Sequence, residues 1–244
     1  MSARRSLIDG VQHLDRETPV DFSNKGLAAT SGGLEEASQA AGVGLPELWA
    51  VVSVETSGCG QFDAQDPDIS QPTPGGYGPS GANQYERLAA AIQLDRNAAL
   101  QSASWGMGQI MGINFRASGF NTVEDMVAAM VESEDRQLLA GAKFMVANGM
   151  GETLRDYNWS GFARRYNGPN YAARNYDGLL RDFYRRYAGG DVPDLRVRAA
   201  QIYFTYKGFE AGVVDGVEGR RTTSAVKEFQ RSINVDATGT INDT

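Results

Sequence analysis

Apolar positions along this chain recur with a helical period almost throughout. A helical pattern opens at Ser31 (GGLEEASQAAG), and a second follows in which Pro46 suits a first turn and Gly58 a stop. In that second pattern, LWAVVSVETSGCG at 48–60, Glu55 lies on one face with Leu48, Val51 and Val52. A surface glutamate would be phased away from such a stripe. Either the helix ends at solvent there, or a carboxyl group is set into an apolar pocket. The period resumes over Tyr85–Leu100 and again over 122–147, where Thr122 and Asp125 form a capping-box start and Asn148-Gly149 the stop. Between them ASWGMGQIMGINF (103–115) predicts a tight glycine-spaced turn running into a helix, and a shorter helix is predicted at 152–164. No stretch alternates strongly with period two, so the predicted class is mainly α with at most minor β.

Breaks in the pattern divide the chain. Residues 1–25 are polar and read as an N-terminal arm. Residues 61–84 hold four of the eight prolines with little apolar periodicity, which predicts a long loop of the kind that is functional or disordered. The cluster AGGDVPD (188–194) marks a boundary. Beyond it lie a predicted helix at 195–207, a turn-rich stretch and a helix at 222–233 with Ala225, Val226, Phe229 and Ile233 on one stripe. The predicted organisation is therefore an arm at 1–25, a main domain at 26–190 and a small unit at 191–244.

Composition narrows the chemistry. With 244 residues, 41% of them apolar, the chain can build a real core, and its net charge of −7 argues against a general nucleic-acid binder. The charge is uneven: residues 1–150 carry 9 Lys/Arg against 18 Asp/Glu, whereas 151–190 carry 7 against 4. A basic strip on an acidic protein suits a polyanionic surface, or is a solvated helix face. One cysteine, Cys59, and one histidine, His13, leave no multi-ligand zinc site and no intramolecular disulfide, so no metal or other cofactor is expected. A histidine-activated nucleophile would have to recruit His13 from the polar arm. The remaining chemistry must run on carboxylates, hydroxyls, amides or Lys/Arg. No stretch has signal-peptide or membrane-spanning character, which predicts synthesis in the cytoplasm and no membrane insertion.

Three segments, ELWAVVSVETSGCG, ASWGMGQIMG and RYNGPNYAARNYDGL, in this order and spacing, resemble the signature blocks of the lysozyme-like superfamily. In particular they resemble the N-acetylmuramidase domain of modular phage endolysins, over about Asp21 to Tyr187. The resemblance implies a lysozyme-like fold and cleavage of the β-1,4 bond between N-acetylmuramic acid and N-acetylglucosamine. Glu55 would be the general acid: an exposed glutamate is ionised at neutral pH, whereas one pressed among Leu48, Val51 and Val52 holds its proton. Asp68 is the candidate second carboxylate, with Asp63, Asp66 and Glu86 also available. Ser104 and Gln109 would bond sugar hydroxyls or N-acetyl groups, Trp105 and Tyr166 would offer flat faces to the rings, and Asn167 would hold a substrate amide. Trp105 is as readily a core residue, and Tyr171 and Tyr176 read as packing.

The tail is similar to the three-helix peptidoglycan-binding module, with Gln201, Asp215 and Phe229 as its candidate wall-binding residues. Two departures from the families stand out: the groove-wall segment after Gly60 is short, and a third helix would only begin near Thr244. The expected protein is a monomeric endolysin-type hydrolase that acts on bacterial peptidoglycan and reaches the wall through a holin-like membrane partner. The alternatives are a lytic transglycosylase leaving 1,6-anhydro ends, and a non-catalytic wall-binding or virion structural protein.

Overall fold

The structure, a computed structural model, describes residues 26–56, 68–69 and 83–241. The N-terminal arm, His13, Asp63, Asp66 and the turn carrying Gly58, Cys59 and Gly60 lie outside the described residues, as does Thr244.

The architecture of the described residues is mainly α, with one small sheet. Helix α1 (Ser31–Ala41) starts at the Thr30 cap and stops at Gly42, whose φ of 64° is the left-handed conformation that glycine adopts without strain. Helix α2 (Leu45–Glu55) has proline in its first turn and ends on the glutamate itself. The predicted helix over Tyr85–Leu100 is two helices, α3 (Asn83–Leu94) and α4 (Arg96–Ser102). They part at Asp95, whose carboxylate accepts the Ala98 amide at 2.9 Å and so starts a new helix instead of extending the old one.

The predicted glycine turn is a short β-hairpin. Strands β2 (Ala103–Trp105) and β3 (Ile110–Met111) pair antiparallel, and β1 (Asp68–Ile69) adds to the other edge of β2. Alternation across the pleat sends Ala103, Trp105 and Ile110 into the core and Ser104 to the opposite face; in the backbone register Ser104 pairs with Asp68 on one side and Met111 on the other.

The helix expected over 122–147 also divides. The Thr122/Asp125 capping box starts α5 (Val123–Glu132) as predicted, but Ser133 is extended and caps a new helix, α6 (Glu134–Ala147). Leu27 bridges to Ser133 in strand fashion at this break. Then follow α7 (Gly151–Arg155), α8 (Trp159–Asn167), a 3-10 turn at Tyr171–Arg174 and α9 (Tyr176–Ala188). Beyond the Gly/Pro/Asp stretch come α10 (Leu195–Tyr206) and α11 (Arg220–Ser232).

Among the described residues, three apolar clusters hold the fold. The largest joins α1, α2 and α6 to α7–α9; a second packs α3–α5 against the sheet. The third, built on Phe204, Ala211, Ala225 and Val226 with Phe209 and Phe229 against them, belongs to α10 and α11. Among the described residues, no helix is long and apolar enough to cross a membrane.

Candidate active site

Glu55 is the last residue of α2. Leu48, Val51 and Val52, its neighbours on that helix face, are 2–3% exposed, so the apolar phasing read from the sequence is a buried stripe. The helix is closed just beyond by Thr56, whose backbone N–H and hydroxyl both donate to the Val52 carbonyl, at 3.0 and 2.7 Å. This delivers the Glu55 side chain, half-buried, to the point where α8, α9 and the β2–β3 turn meet.

The Tyr176 hydroxyl donates a hydrogen bond to Oε1 of Glu55. Tyr176 is 4% exposed and opens α9, directly after Asn175, whose φ of 51° and ψ of 35° make a left-handed turn. Asparagine tolerates that conformation, and Gly178 lets its side chain fold back: a Cβ on Gly178 would lie 2.3 Å from the Asn175 amide oxygen. The turn thereby aims Tyr176 at the glutamate. Tyr176 packs in the largest apolar cluster, as the sequence reading has it, and its hydroxyl adds a bond to Glu55 that no local pattern announces.

Burial raises the Glu55 pKa from its ordinary 4.5 to about 7, against the lowering effects of the Tyr176 hydrogen bond and the Arg174 guanidinium. Desolvation dominates because the apolar surroundings at the end of α2 strip water from the charged form, while Tyr176 supplies one bond and Arg174 stands exposed in solvent. Tyr176 and Tyr166 are both pushed well above the usual phenol range, by burial first and by the neighbouring Glu55 second, so both keep their protons and donate.

Tyr166, near the end of α8, is half-buried and stacks on Phe162 with centroids 5.1 Å apart. Its hydroxyl donates to the Gly108 carbonyl at 2.6 Å, tying α8 to the β2–β3 turn. Gly108 is there for room, since a Cβ would stand 3.1 Å from that hydroxyl. In the same turn Gln109 has a φ of 45°, costly for a residue with a Cβ. Its backbone N–H and its side-chain amide both donate to the Gly106 carbonyl, at 2.9 and 3.1 Å. The turn is held from below by Gln137 of α6, 1% exposed, which accepts the Met107 amide at 3.0 Å and donates to the Met130 carbonyl at 2.7 Å. Gln137 carries no local signal in the sequence, because both its partners lie in other elements.

Three predicted site residues thus converge: Glu55 and Tyr166 with the turn that bears Gln109. Ser104 lies on the sheet face opposite the core, 7% exposed, and Asn167 is exposed at the end of α8. Trp105 does not join them as a sugar platform. It is 5% exposed within the second apolar cluster, and its indole N–H donates to the Leu100 carbonyl at 2.8 Å. Pleat alternation, which turns Ser104 to the other face of the sheet, turns Trp105 into the core. Asp68 is placed by its backbone as the register partner of Ser104. Among the described residues, no group of three or more His, Cys, Asp or Glu could hold a metal.

In the C-terminal unit Gln201 is 1% exposed and its amide is fully engaged inside the fold. Its Nε2 donates to Asp215, to the Val217 carbonyl and to Thr222 at 3.0–3.1 Å, and its Oε1 accepts the Asp215 and Gly216 amides at 3.0 and 2.9 Å. Phe229 is packed among Tyr203, Phe204 and Phe209. Gln201 is thus buried inside the module, whereas Phe229 packs on its core half-buried.

Comparison with known proteins gives the family of each part of the chain. The N-acetylmuramidase family matches residues 60–188 and a peptidoglycan binding domain matches 194–244. The family match begins just after Glu55. No curated protein sequence matches the chain. The crystal structure of a Burkholderia AP3 phage endolysin superposes with a TM-score of 0.57 at 31% identity, covering 68% of this chain and 72% of that one. The chain belongs to the N-acetylmuramidase family, a glycoside hydrolase of peptidoglycan joined to a peptidoglycan-binding module.

Proposed function

We propose that Glu55 is the general acid of this muramidase. The observation that carries the reading is a carboxyl at the end of a buried helix, gripped on one oxygen by Tyr176, and burial there raises its pKa to about 7. With Oε1 accepting from Tyr176, Oε2 carries the proton toward the groove. That proton passes to the bridging oxygen as the glycosidic C–O bond breaks and positive charge develops on the sugar ring. Water then adds to the anomeric carbon, and its proton returns to the carboxyl side of the site. Asp68, the partner of Ser104 across the sheet, is the candidate to orient that water or steady the ring charge. Ser104, Gln109, Tyr166 and Asn167 line the path of the glycan on either side of Glu55. In this reading residues 26–190 cut and 191–244 hold the wall. The enzyme works as a monomer without a cofactor, made in the cytoplasm and let through the membrane by a holin-like partner.

The test is mass spectrometry of muropeptides released from purified peptidoglycan. The expected products have reducing ends one water heavier than 1,6-anhydro ends, and Glu55→Gln releases none of either. Substantial release by that variant removes Glu55 from the role.

A further inference from the structure

The first turn of α6 is a junction from which three nearby residues reach three different parts of the molecule. Asp135 reaches the start of α1: its Oδ1 accepts the Thr30 amide at 2.8 Å and its Oδ2 the Thr30 hydroxyl at 2.7 Å. Gln137 reaches the turn beside the active site through the Met107 amide, 3.0 Å away. Glu134 reaches the wall-binding module. Its carboxylate meets the Arg198 guanidinium of α10 in a two-pronged ion pair, with Arg198 Nη1 on Oε2 and Nη2 on Oε1 at 2.6 Å, while Oε2 also accepts the Ala29 amide at 2.7 Å. Both members of the pair are 1% exposed.

A solvent-excluded pair of this kind is a costly way to gain stability alone, because both ions lose their hydration. Its geometric property is different: a planar fork on a carboxylate fixes direction as well as distance. Here it fixes the head of a helix. One turn further along that helix sits Gln137, and from Gln137 the connection continues to Met107, to the 106–109 turn, and through Gly108 and the Tyr166 hydroxyl to the side of Glu55. The module is seated by apolar contact as well, since Leu195 packs on the largest core cluster.

We infer that Arg198, a residue of the wall-binding module, is a positioning residue for catalysis: through Glu134 and Gln137 it sets the turn that carries Gln109 and braces Tyr166. The module on this account is part of the active site's scaffold and more than an anchor on the wall. The inference rests on the reading that the 106–109 turn flanks the cleavage point at Glu55.

The experiment uses the full chain and a soluble oligomer of alternating N-acetylglucosamine and N-acetylmuramic acid without stem peptides, so that anchoring on insoluble wall plays no part. Arg198→Leu removes the fork. Arg198→Lys keeps the charge, fills the site and loses only the two-pronged geometry, and it decides the question alone if the leucine variant does not fold. The expected result for both is a kcat lower by about tenfold with KM little changed, and a Met107 amide that exchanges hydrogen about tenfold faster while amides of α9 keep wild-type rates. Arg185→Leu, an exposed control on α9, leaves both readouts unchanged. Wild-type kcat and Met107 exchange in the Arg198 variants overturn the inference, as does a uniform rise in exchange across the domain, which would mark the pair as structural only. Glu55→Gln is assayed alongside: if it still cleaves while Arg198→Lys loosens Met107, the reading of Glu55 fails and the scaffold coupling stands.

Discussion

The Tyr176 hydroxyl donates to the Glu55 carboxylate across 121 residues of sequence, joining the start of α9 to the end of α2. The bond favours the ionised form of Glu55 and opposes the burial that raises its pKa to about 7. Tyr176→Phe therefore moves the Glu55 pKa further up. The alkaline limb of the kcat/KM profile shifts to higher pH, while kcat falls by about tenfold because the acid is no longer held in one rotamer. A limb that stays in place shows that the bond does not tune this carboxyl. Arg174→Gln shifts the limb in the same direction and by less, since the Arg174 charge is the smallest of the three influences.

A general acid acts only while protonated. With its pKa at about 7, Glu55 is mostly a proton donor below neutrality and mostly a bystander above it. Hydrolysis of the soluble oligomer, followed as kcat/KM, is expected to lose its acid above pH 7 by about tenfold per pH unit. An exposed glutamate would lose it from pH 4–5, and that outcome would contradict the enclosed site.

The same carboxyl links stability to pH, with a sign opposite to most carboxylates. Its folded pKa of about 7 exceeds the ordinary 4.5, so the folded state binds the proton more tightly than the unfolded chain. Stability from this group is full below pH 4.5 and is lost as pH rises through 7. A difference of about 2.5 units corresponds to up to roughly 3 kcal/mol above pH 7. Glu55→Gln, which cannot ionise, is expected to melt higher than wild type at pH 8 and level with it at pH 4. Equal melting at both would show that the site is wetter than its packing implies.

How much of this could be read beforehand depends on the reach of each interaction. The Thr122/Asp125 capping box and the Leu48/Val51/Val52 face of α2 are encoded within four to seven residues, and both stand in the fold as read. Breaks at Asp95 and Ser133 were missed because the apolar period runs through them. The signal lay in the residue type alone, an aspartate and a serine suited to N-caps, with Glu134 and Asp135 filling the next turn after Ser133. Tyr176, Gln137 and Arg198 were illegible for another reason: their partners lie 121, 30 and 64 residues away, where no local pattern extends. Trp105 was ambiguous by nature, since a flat apolar ring serves a core or a sugar equally until the pleat decides which way it faces.

Trp105 separates those two roles in a measurement. As a core residue bonded to Leu100, it should cost about 3–5 kcal/mol of stability when truncated in Trp105→Ala. Trp105→Phe refills most of the space and loses one buried hydrogen bond. It is expected to unfold at lower denaturant than wild type, yet to keep the KM for the soluble oligomer. A KM raised severalfold in the phenylalanine variant would return Trp105 to the groove.

Gln201 offers the corresponding test in the wall-binding module. Five hydrogen bonds converge on its amide, and they join α10 to the Asp215–Val217 loop and to Thr222 at the head of α11. Gln201→Ala leaves the buried Gly216 amide short of a partner, at about 1–3 kcal/mol where water does not reach it, while the Thr222 hydroxyl loses one bond and still donates to the Ala211 carbonyl. The loop also loses its template, because Gly216, at a φ of 68°, is backed directly against Asp194 and has no side chain of its own to hold it. Exchange at the Asp215 and Gly216 amides should accelerate, and retention on sedimented peptidoglycan should fall with it, because Gln201 is buried inside the module. A side chain that contacted the wall directly would behave otherwise: Gln201→Ala would weaken retention with exchange at those amides unchanged.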